Sequence, residues 1–148
     1  MNLELPECFY RISVKALILD ETRTKFLLAR EDNGYWEIPG GGLDWGEDAM
    51  AALLRELREE MGLEASFVSL TPSYFLTFQN EFSRHDLRTE KAWRANVIYE
   101  VTLASLDFTP SEECLELRFV SPEEVKQLLA FSNVRQLAQL FDPKNHVR

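Results

Sequence analysis

The chain has 148 residues, of which 45% are hydrophobic, so it is long and apolar enough to form one domain, residues 1–148, with a core that requires no disulfides. Its 16 Lys and Arg residues are outnumbered by 25 Asp and Glu residues, and the formal net charge of −9 disfavours electrostatic binding of nucleic acid or an anionic membrane. The same charge repels phosphate groups. Phosphate chemistry on this chain therefore requires a counter-charge, most simply a bound cation.

The cysteines and the N-terminal residues give no sign of export. Cys8 and Cys114 are far apart and lack the spacing of a zinc site or a disulfide framework. Residues 1–7 lack the basic start and apolar stretch of a signal peptide, and no window approaches the roughly 18 apolar residues of a transmembrane helix. We therefore expect a cytoplasmic protein without a membrane segment, and the oligomeric state, including a homodimer, stays open.

The first 42 residues are predicted to contain mainly strands. Residues 10–19 and 25–30 are rich in β-branched and aliphatic side chains and flank a short polar turn, which predicts a β-hairpin. Residues 35–38 predict a short strand that ends at Pro39. The three glycines that follow, Gly40–Gly42, leave the backbone free to adopt unusual dihedral angles.

Residues 47–61 predict the main helix, because they contain neither Gly nor Pro and are rich in strong helix formers. Leu53, Leu57 and Met61 are spaced at i, i+4 and i+8, so one stripe of this helix is expected to be buried. Gly62 suits the C-cap position.

The rest of the chain is predicted to return to strands and to end in helices. Strands are predicted over residues 65–70, 74–78, 94–103 and 117–120, with a polar loop or lid over 79–91. Ser121 is predicted to cap a helix that runs to about Ala130, and a short helix around 134–141 precedes a frayed tail after Pro143. This order predicts an α+β domain with a mixed β-sheet and does not fit a doubly wound fold.

Three glutamates of the main helix are predicted to share one face. Helical geometry places Glu56, Glu59 and Glu60 within an arc of about 100°. Like charges at this spacing repel one another unless water screens them or a cation neutralises them. Mg²⁺ and Mn²⁺ take oxygen ligands from carboxylates and bind substrate phosphates at their remaining positions, so this face is a candidate site for either cation.

The glycine run before the helix completes a longer pattern. Glycines can bring backbone groups close to a metal or a phosphate. The segment reads Gly41, five residues, Glu47, seven residues, and then Arg55-Glu56-Leu57-x-Glu59-Glu60-x-Gly62-Leu63. It resembles the complete signature of the Nudix hydrolases, and a chance match is below about one in a million at average residue usage. The resemblance implies an α/β/α sandwich fold and hydrolysis of a diphosphate linkage.

The resemblance also implies roles for residues of the signature. Glu56, Glu59 and Glu60 resemble the carboxylates that bind metal and supply the base, and the carbonyl of Gly40 resembles a backbone metal ligand. Arg55 is similar to the family arginine that orients a glutamate, and Glu47 to the residue that braces the loop against the helix. Family members differ in which glutamate activates the water, and Glu56 is our preference.

Two positions outside these assignments have alternative interpretations. Family members often take a further acidic ligand or base from a loop before the last strand of the sheet. Glu112, Glu113 and Glu116 lie in that stretch, and Glu113 is the candidate, with a solvated acid as the alternative. Trp45 lies within the glycine-containing loop, where its indole either stacks on a substrate base or caps the helix.

Three functions remain after these observations. The first is hydrolysis of a phosphoanhydride bond in a nucleotide-like small molecule, with (deoxy)nucleoside triphosphates preferred because the domain is small. ADP-ribose, nucleotide sugars and dinucleoside polyphosphates are alternatives, although the spacing markers for ADP-ribose and for dinucleoside polyphosphates are missing. The second is a Nudix-fold module that binds without catalysis, and such modules usually lose signature glutamates. The third, a prenyl diphosphate isomerase, lacks an added domain or an evident catalytic cysteine.

Overall fold

A computed structural model describes residues 9–79 and 93–147. Almost all of the predicted polar loop, 79–91, lies outside these residues, as does Cys8. The strands are β1 (Arg11–Leu17), β2 (Phe26–Arg30), β3 (Trp36–Glu37), β4 (Gly40–Gly42), β5 (Ala65–Val68), β6 (Tyr74–Gln79), β7 (Trp93–Leu103) and β8 (Glu116–Val120). The helices are α1 (Ala49–Met61), α2 (Pro122–Val125), α3 (Ser132–Leu140) and a 3₁₀ helix (Pro143–His146).

The strands of residues 9–79 and 93–147 form two sheets. In the first, β1 lies between β4 and β7, and β5 and β6 pair with successive parts of β7. The β1–β7 pairing is parallel and the other pairings are antiparallel, so this sheet is mixed, as predicted. The second sheet is antiparallel, with the order β3-β2-β8.

Helices cover both sides of the sheets. Because alternate side chains of a strand point to opposite faces, the same strands contribute to a core on each side. One side packs against α1 in a core that includes Val14, Ala16, Leu27, Ala29, Leu53, Leu57 and Met61. The other side packs against α3 in a core that includes Leu17, Phe26, Leu28, Ile98, Val134 and Leu137. The predicted α/β/α sandwich is therefore present.

The main helix has the predicted buried stripe and C-terminus. Leu53, Leu57 and Met61 have no exposed surface, and burial of such side chains stabilises the fold by roughly 1.5–3 kcal/mol each. Asp48 is the N-cap and its side chain accepts a hydrogen bond from the N–H of Ala51. Gly62 has a φ of 68° at the C-cap, a conformation that glycine adopts without steric cost.

The predicted N-terminal hairpin is present only next to its turn, where residues 18–20 and 25–27 pair in an antiparallel arrangement. Residues 10–19 and 25–30 do contain β1 and β2, but these strands belong to different sheets. An isolated bridge between Leu19 and Phe26 is the link between them, next to the turn at Asp20. The glycine run is also more regular than expected, because Gly40–Gly42 forms β4 and pairs with β1.

The C-terminal segment differs from the prediction in two ways. The helix that Ser121 caps ends at Val125, short of Ala130. The expected frayed tail is instead a 3₁₀ helix with His146 buried. We call Arg23, Tyr74, Glu100 and His146 the C-terminal clasp, because their side chains tie this helix to the body of the protein.

None of the helices in the described part of the chain has both the length and the apolar character needed to cross a bilayer.

Candidate active site

Glu56 and Glu60 of α1 contact the glycine strand β4. The N–H of Gly40 donates a hydrogen bond to Glu60 Oε2 over 3.3 Å. A Cβ atom at Gly41 would lie 2.3 Å from Glu56 Oε2, so any side chain at this position would displace the carboxylate. The glycine of the signature therefore lets the carboxylate of Glu56 lie close to the strand.

A third carboxylate reaches the same place from the chain segment before β8. Glu56, Glu60 and Glu113 each offer an oxygen, and these three atoms lie within 4.8 Å of one another. The Ser111 hydroxyl donates to the backbone carbonyl of Glu60 over 2.6 Å, which fixes this segment against the end of α1. We call Glu56, Glu60 and Glu113 the carboxylate cluster.

Burial and like charges make the cluster costly to ionise. Glu60 is only 4% exposed, and burial raises its pKa well above the usual value, with Lys15 lowering it and Glu113 raising it further. Burial also raises the pKa of Glu56, against the effect of its hydrogen bond from Arg55. A bound cation would relieve both the desolvation and the repulsion.

The donor set of the cluster fits a hard divalent cation. Its three side chains come from two separate segments and offer only oxygen atoms, the ligand type that Mg²⁺ and Mn²⁺ take in proteins. No thiol or imidazole belongs to the group. On a solvated face, carboxylates this close would only repel one another. In a metal site, a bound cation would neutralise them.

Arg55 links the helix to the loop that follows β4. Its guanidinium donates to both oxygens of Glu47, over 2.8 and 2.9 Å, and to the carbonyl of Gly42 over 3.1 Å. It also donates to Glu56 over 2.9 Å and to Glu59 over 3.1 Å. The hydrogen bond from Arg55 lowers the pKa of Glu47, while the pKa of Arg55 rises, mainly because of Glu47.

Glu59, Gly40 and Trp45 lie outside the tight group. The Glu59 side chain is exposed and hydrogen-bonds to Arg55, although it lines the same cleft. The carbonyl of Gly40, expected as a metal ligand, accepts a hydrogen bond from Lys15 Nζ over 3.1 Å. Trp45 is fully exposed, so its indole does not cap α1, and Asp48 does.

The cluster opens into a cleft of about 470 Å³. The cleft is lined by Arg11, Gly41, Gly42, Asp44, Glu56, Glu59, Glu60, Ser111, Glu112 and Glu113. This volume lies within the range of small-molecule sites, roughly 300–1,000 Å³. Its lining is unusually acidic for a site that would take a phosphate.

The sequence prediction missed two basic residues at this site, Lys15 and Arg11. Lys15 is buried, and its ammonium lies 3.9 Å from Glu37 Oε2 in addition to its contact with Gly40. A lysine within the apolar run of β1 was the available signal, since buried lysines are rare unless paired. Arg11 stands at the start of the same strand, where sequence carries no comparable signal.

A family model described as the NUDIX domain matches residues 9–141. The chain belongs to the NUDIX domain family. This result confirms the resemblance found in residues 41–63. The match extends over β1 to α3, well beyond the signature itself.

Individual NUDIX relatives agree with the family match. The nucleoside triphosphatase NudI of Escherichia coli is 32% identical over 92 residues, which cover 62% of this chain and 65% of that protein. The match thus spans just under two thirds of the relative. The solution structure of the E. coli ORF135 protein is 28% identical, with a TM-score of 0.59, and the alignment covers 82% of this chain and 80% of that one.

The fold is shared over nearly the whole length with another solved structure. The crystal structure of a MutT protein from Methanosarcina mazei Go1 is 25% identical, with a TM-score of 0.64. The alignment covers 97% of this chain and 99% of that chain. This coverage supports the assignment of the sandwich fold to the described residues.

Proposed function

We propose that the protein hydrolyses a phosphoanhydride bond in a nucleoside diphosphate-linked substrate, with the help of Mg²⁺ or Mn²⁺. The observation that carries the proposal is the carboxylate cluster, in which three acidic oxygens lie within 4.8 Å of one another at the edge of a cleft. Glu60 is buried and Glu56 and Glu113 are partly buried, so carboxylates at this spacing favour a neutralising cation. A diphosphate substrate brings further negative charge into the same cleft.

Each residue of the site has a proposed role in this reaction. Glu56, Glu60 and Glu113 would hold the cation, and Glu59 would join them from its exposed position. A divalent cation held there supplies charge neutralisation at the phosphoryl oxygens and makes water a better nucleophile. We prefer Glu56 as the general base, because its carboxylate is half-buried and Arg55 holds one of its oxygens at 2.9 Å.

A (deoxy)nucleoside triphosphate is the preferred substrate. The relative named a nucleoside triphosphatase supports this class, although the match covers only part of that protein. Trp45 supports a nucleoside because its exposed indole, on the loop before α1, offers a free face for stacking on a base. Base stacking on aromatic side chains contributes about 1–3 kcal/mol per base.

The test is a hydrolysis screen in the presence of Mg²⁺ with the products identified. Substrates are nucleoside triphosphates, ADP-ribose, nucleotide sugars and dinucleoside polyphosphates. We expect the highest kcat/KM for a nucleoside triphosphate, and a raised KM for Trp45→Ala with that substrate. Tight binding of a nucleotide without any product would instead indicate a binding module, and hydrolysis in excess EDTA would contradict the metal-dependent mechanism.

A further inference from the structure

Arg11 is an unusual member of the cleft lining, because six carboxylate side chains line the same cleft. They are Asp44, Glu56, Glu59, Glu60, Glu112 and Glu113. Arg55, close by, donates hydrogen bonds to three carboxylates. Arg11 makes no ion pair with any residue of 9–79 and 93–147, although six carboxylates line the same cleft.

The backbone holds the Arg11 guanidinium in place instead. Its Nη1 donates to the carbonyl of Leu43 over 2.7 Å. Among residues 9–79 and 93–147, the Arg11 side chain makes no other hydrogen bond. Its remaining N–H groups are therefore available to a ligand. The residue is exposed at the start of β1, so a ligand can reach it from solvent.

The absence of a side chain at Gly42 leaves room for this guanidinium. A Cβ atom at Gly42 would lie 2.1 Å from Nη2 of Arg11 and 2.8 Å from its Cζ. Gly42 does not have a positive φ, so its backbone conformation is one that alanine also adopts. A side chain at this position would therefore displace the guanidinium from its present place.

We propose that Arg11 binds the phosphoryl oxygens of the substrate, and that Gly42 positions it to do so. A guanidinium presents planar, forked N–H donors that match phosphate oxygens, and charge-assisted bonds of this kind are stronger than neutral ones. A cleft with six carboxylates needs a fixed cation as well as a bound one to attract an anionic substrate. The inference rests on the proposed function, whose substrate it describes as a phosphate chain.

The primary test compares Arg11→Gln and Arg11→Lys with the wild type on a nucleoside triphosphate at saturating Mg²⁺. We expect Arg11→Gln to raise KM by about 10- to 100-fold, the range for a lost hydrogen bond to a charged group, while kcat changes less than about threefold. The KM of Arg11→Lys should lie between those of the wild type and Arg11→Gln, because lysine keeps the charge and loses the forked N–H donors. An unchanged KM in Arg11→Gln would overturn the inference.

The matched control is Arg58→Gln, which removes the same charge from an exposed arginine paired with Glu64, away from the cleft. It separates a specific contact from the general effect of making an acidic chain more acidic. We expect its KM to stay within about twofold of the wild type. Equal increases in KM for Arg11→Gln and Arg58→Gln would contradict a contact with the substrate.

Gly42→Ala tests whether Gly42 positions Arg11. We expect it to raise KM in the wild-type background by displacing Arg11, and to have little further effect in the Arg11→Gln background, as a double-mutant cycle measures. Equal effects in both backgrounds would show that Gly42 acts independently of Arg11. Mn²⁺ affinity should be the same in Arg11→Gln and the wild type, because Arg11 is not a metal ligand.

Binding of inorganic tripolyphosphate in the presence of Mg²⁺ separates this inference from the proposed function. If the wild type hydrolyses no nucleotide, the proposed function fails, and calorimetry with tripolyphosphate still decides on Arg11. Affinity at least about tenfold weaker in Arg11→Gln supports a phosphate-binding role. Equal affinity, or no binding by the wild type, overturns it.

Discussion

Two regions of this protein contain half-buried or buried glutamates, and they surround them differently. In the carboxylate cluster, an oxygen of Glu60 lies within 4.8 Å of oxygens of Glu56 and Glu113, and Glu60 accepts a hydrogen bond from the backbone N–H of Gly40. In the C-terminal clasp, Glu100 pairs with Arg23 and lies 3.7 Å from His146 Nδ1. Glu60 shares its site with two other carboxylates as well as with Lys15, whereas Glu100 is bonded directly to a guanidinium.

The difference separates the proposed cation site from a contact that stabilises the fold. In the clasp, the Tyr74 hydroxyl and His146 Nε2 are 2.7 Å apart, and the Phe141 ring stacks on the His146 ring with centroids 5.2 Å apart. Its polar groups are partnered within the protein. The carboxylate cluster brings three carboxylates together, with Arg55 bonded to Glu56 and Lys15 close to Glu60, and a bound cation would relieve the remaining repulsion between them.

The largest expected effect comes from Glu56→Gln and Glu60→Gln, which keep size and helix geometry while removing one charge from the cluster. Turnover at saturating Mg²⁺ should fall by at least about a hundredfold, the scale for losing a base or a key electrostatic group. The melting temperature of the metal-free protein should be unchanged or higher, because a repulsion is relieved. Product formation and thermal melts measure the two quantities.

The control for these variants is Glu64→Gln, which removes a carboxylate from an exposed ion pair with Arg58. It should leave turnover unchanged and alter the free energy of unfolding by less than about 1 kcal/mol. Near-wild-type turnover in both Glu56→Gln and Glu60→Gln would overturn the site assignment. A collapse of the fold would show that these glutamates are structural.

The opposite result is expected in the clasp. His146→Ala removes partners of Tyr74 and Glu100 and should lower the free energy of unfolding by about 1–3 kcal/mol. Turnover of the folded protein should be unchanged, because none of the clasp residues lines the cleft. A variant that melts normally but loses activity would contradict the division between the two regions.

A smaller effect on the free energy of unfolding is expected when the pH of the metal-free protein falls from 7.5 to 5.5, and its sign differs between the two regions. The pKa of Glu60 is raised by burial, so its contribution to stability is present below its unfolded pKa of about 4.5 and is lost as pH rises through its folded pKa. The pKa of His146 is lowered by burial from 6.5, so its contribution is present above that value and is lost as pH falls.

The two contributions are separated by measuring the free energy of unfolding of each variant at both pH values. In Glu60→Gln, the increase in the free energy of unfolding that Glu60 causes on acidification should be absent. In His146→Ala, the decrease that His146 causes should be absent. Saturating Mg²⁺ at pH 7.5 should stabilise the wild type as protonation of Glu60 does at pH 5.5, since the cation replaces the proton in neutralising the carboxylates. An identical pH response in the wild type and both variants would contradict the account.

The sequence was sufficient for the features that local spacing determines. The buried stripe of α1, its glycine C-cap and the shared face of Glu56 and Glu60 all follow from helical periodicity and cap preferences. The Nudix signature is similarly local. These features involve residues that are near one another in the chain.

Features that depend on distant residues were wrong or left open. The pattern of β1 predicts a strand but not its partner, and the parallel partner is β7, which begins at Trp93. The choice among Glu112, Glu113 and Glu116 depended on the path of the segment before β8: Glu116 pairs with Arg30 and Arg118, whereas Glu113 joins the cluster. His146 was missed because its partners lie up to 123 residues away along the chain.

The central claim, that the carboxylate cluster binds a divalent cation, is tested most directly by titration of the metal-free protein with Mn²⁺. We predict saturable binding with a rise in melting temperature, and affinity at least about tenfold weaker in Glu60→Gln and Glu113→Gln, a loss that even an outer-shell partner causes. Glu116→Gln, the matched control, should bind Mn²⁺ like the wild type. Equal affinity in all four proteins, or no binding by the wild type, would contradict the claim.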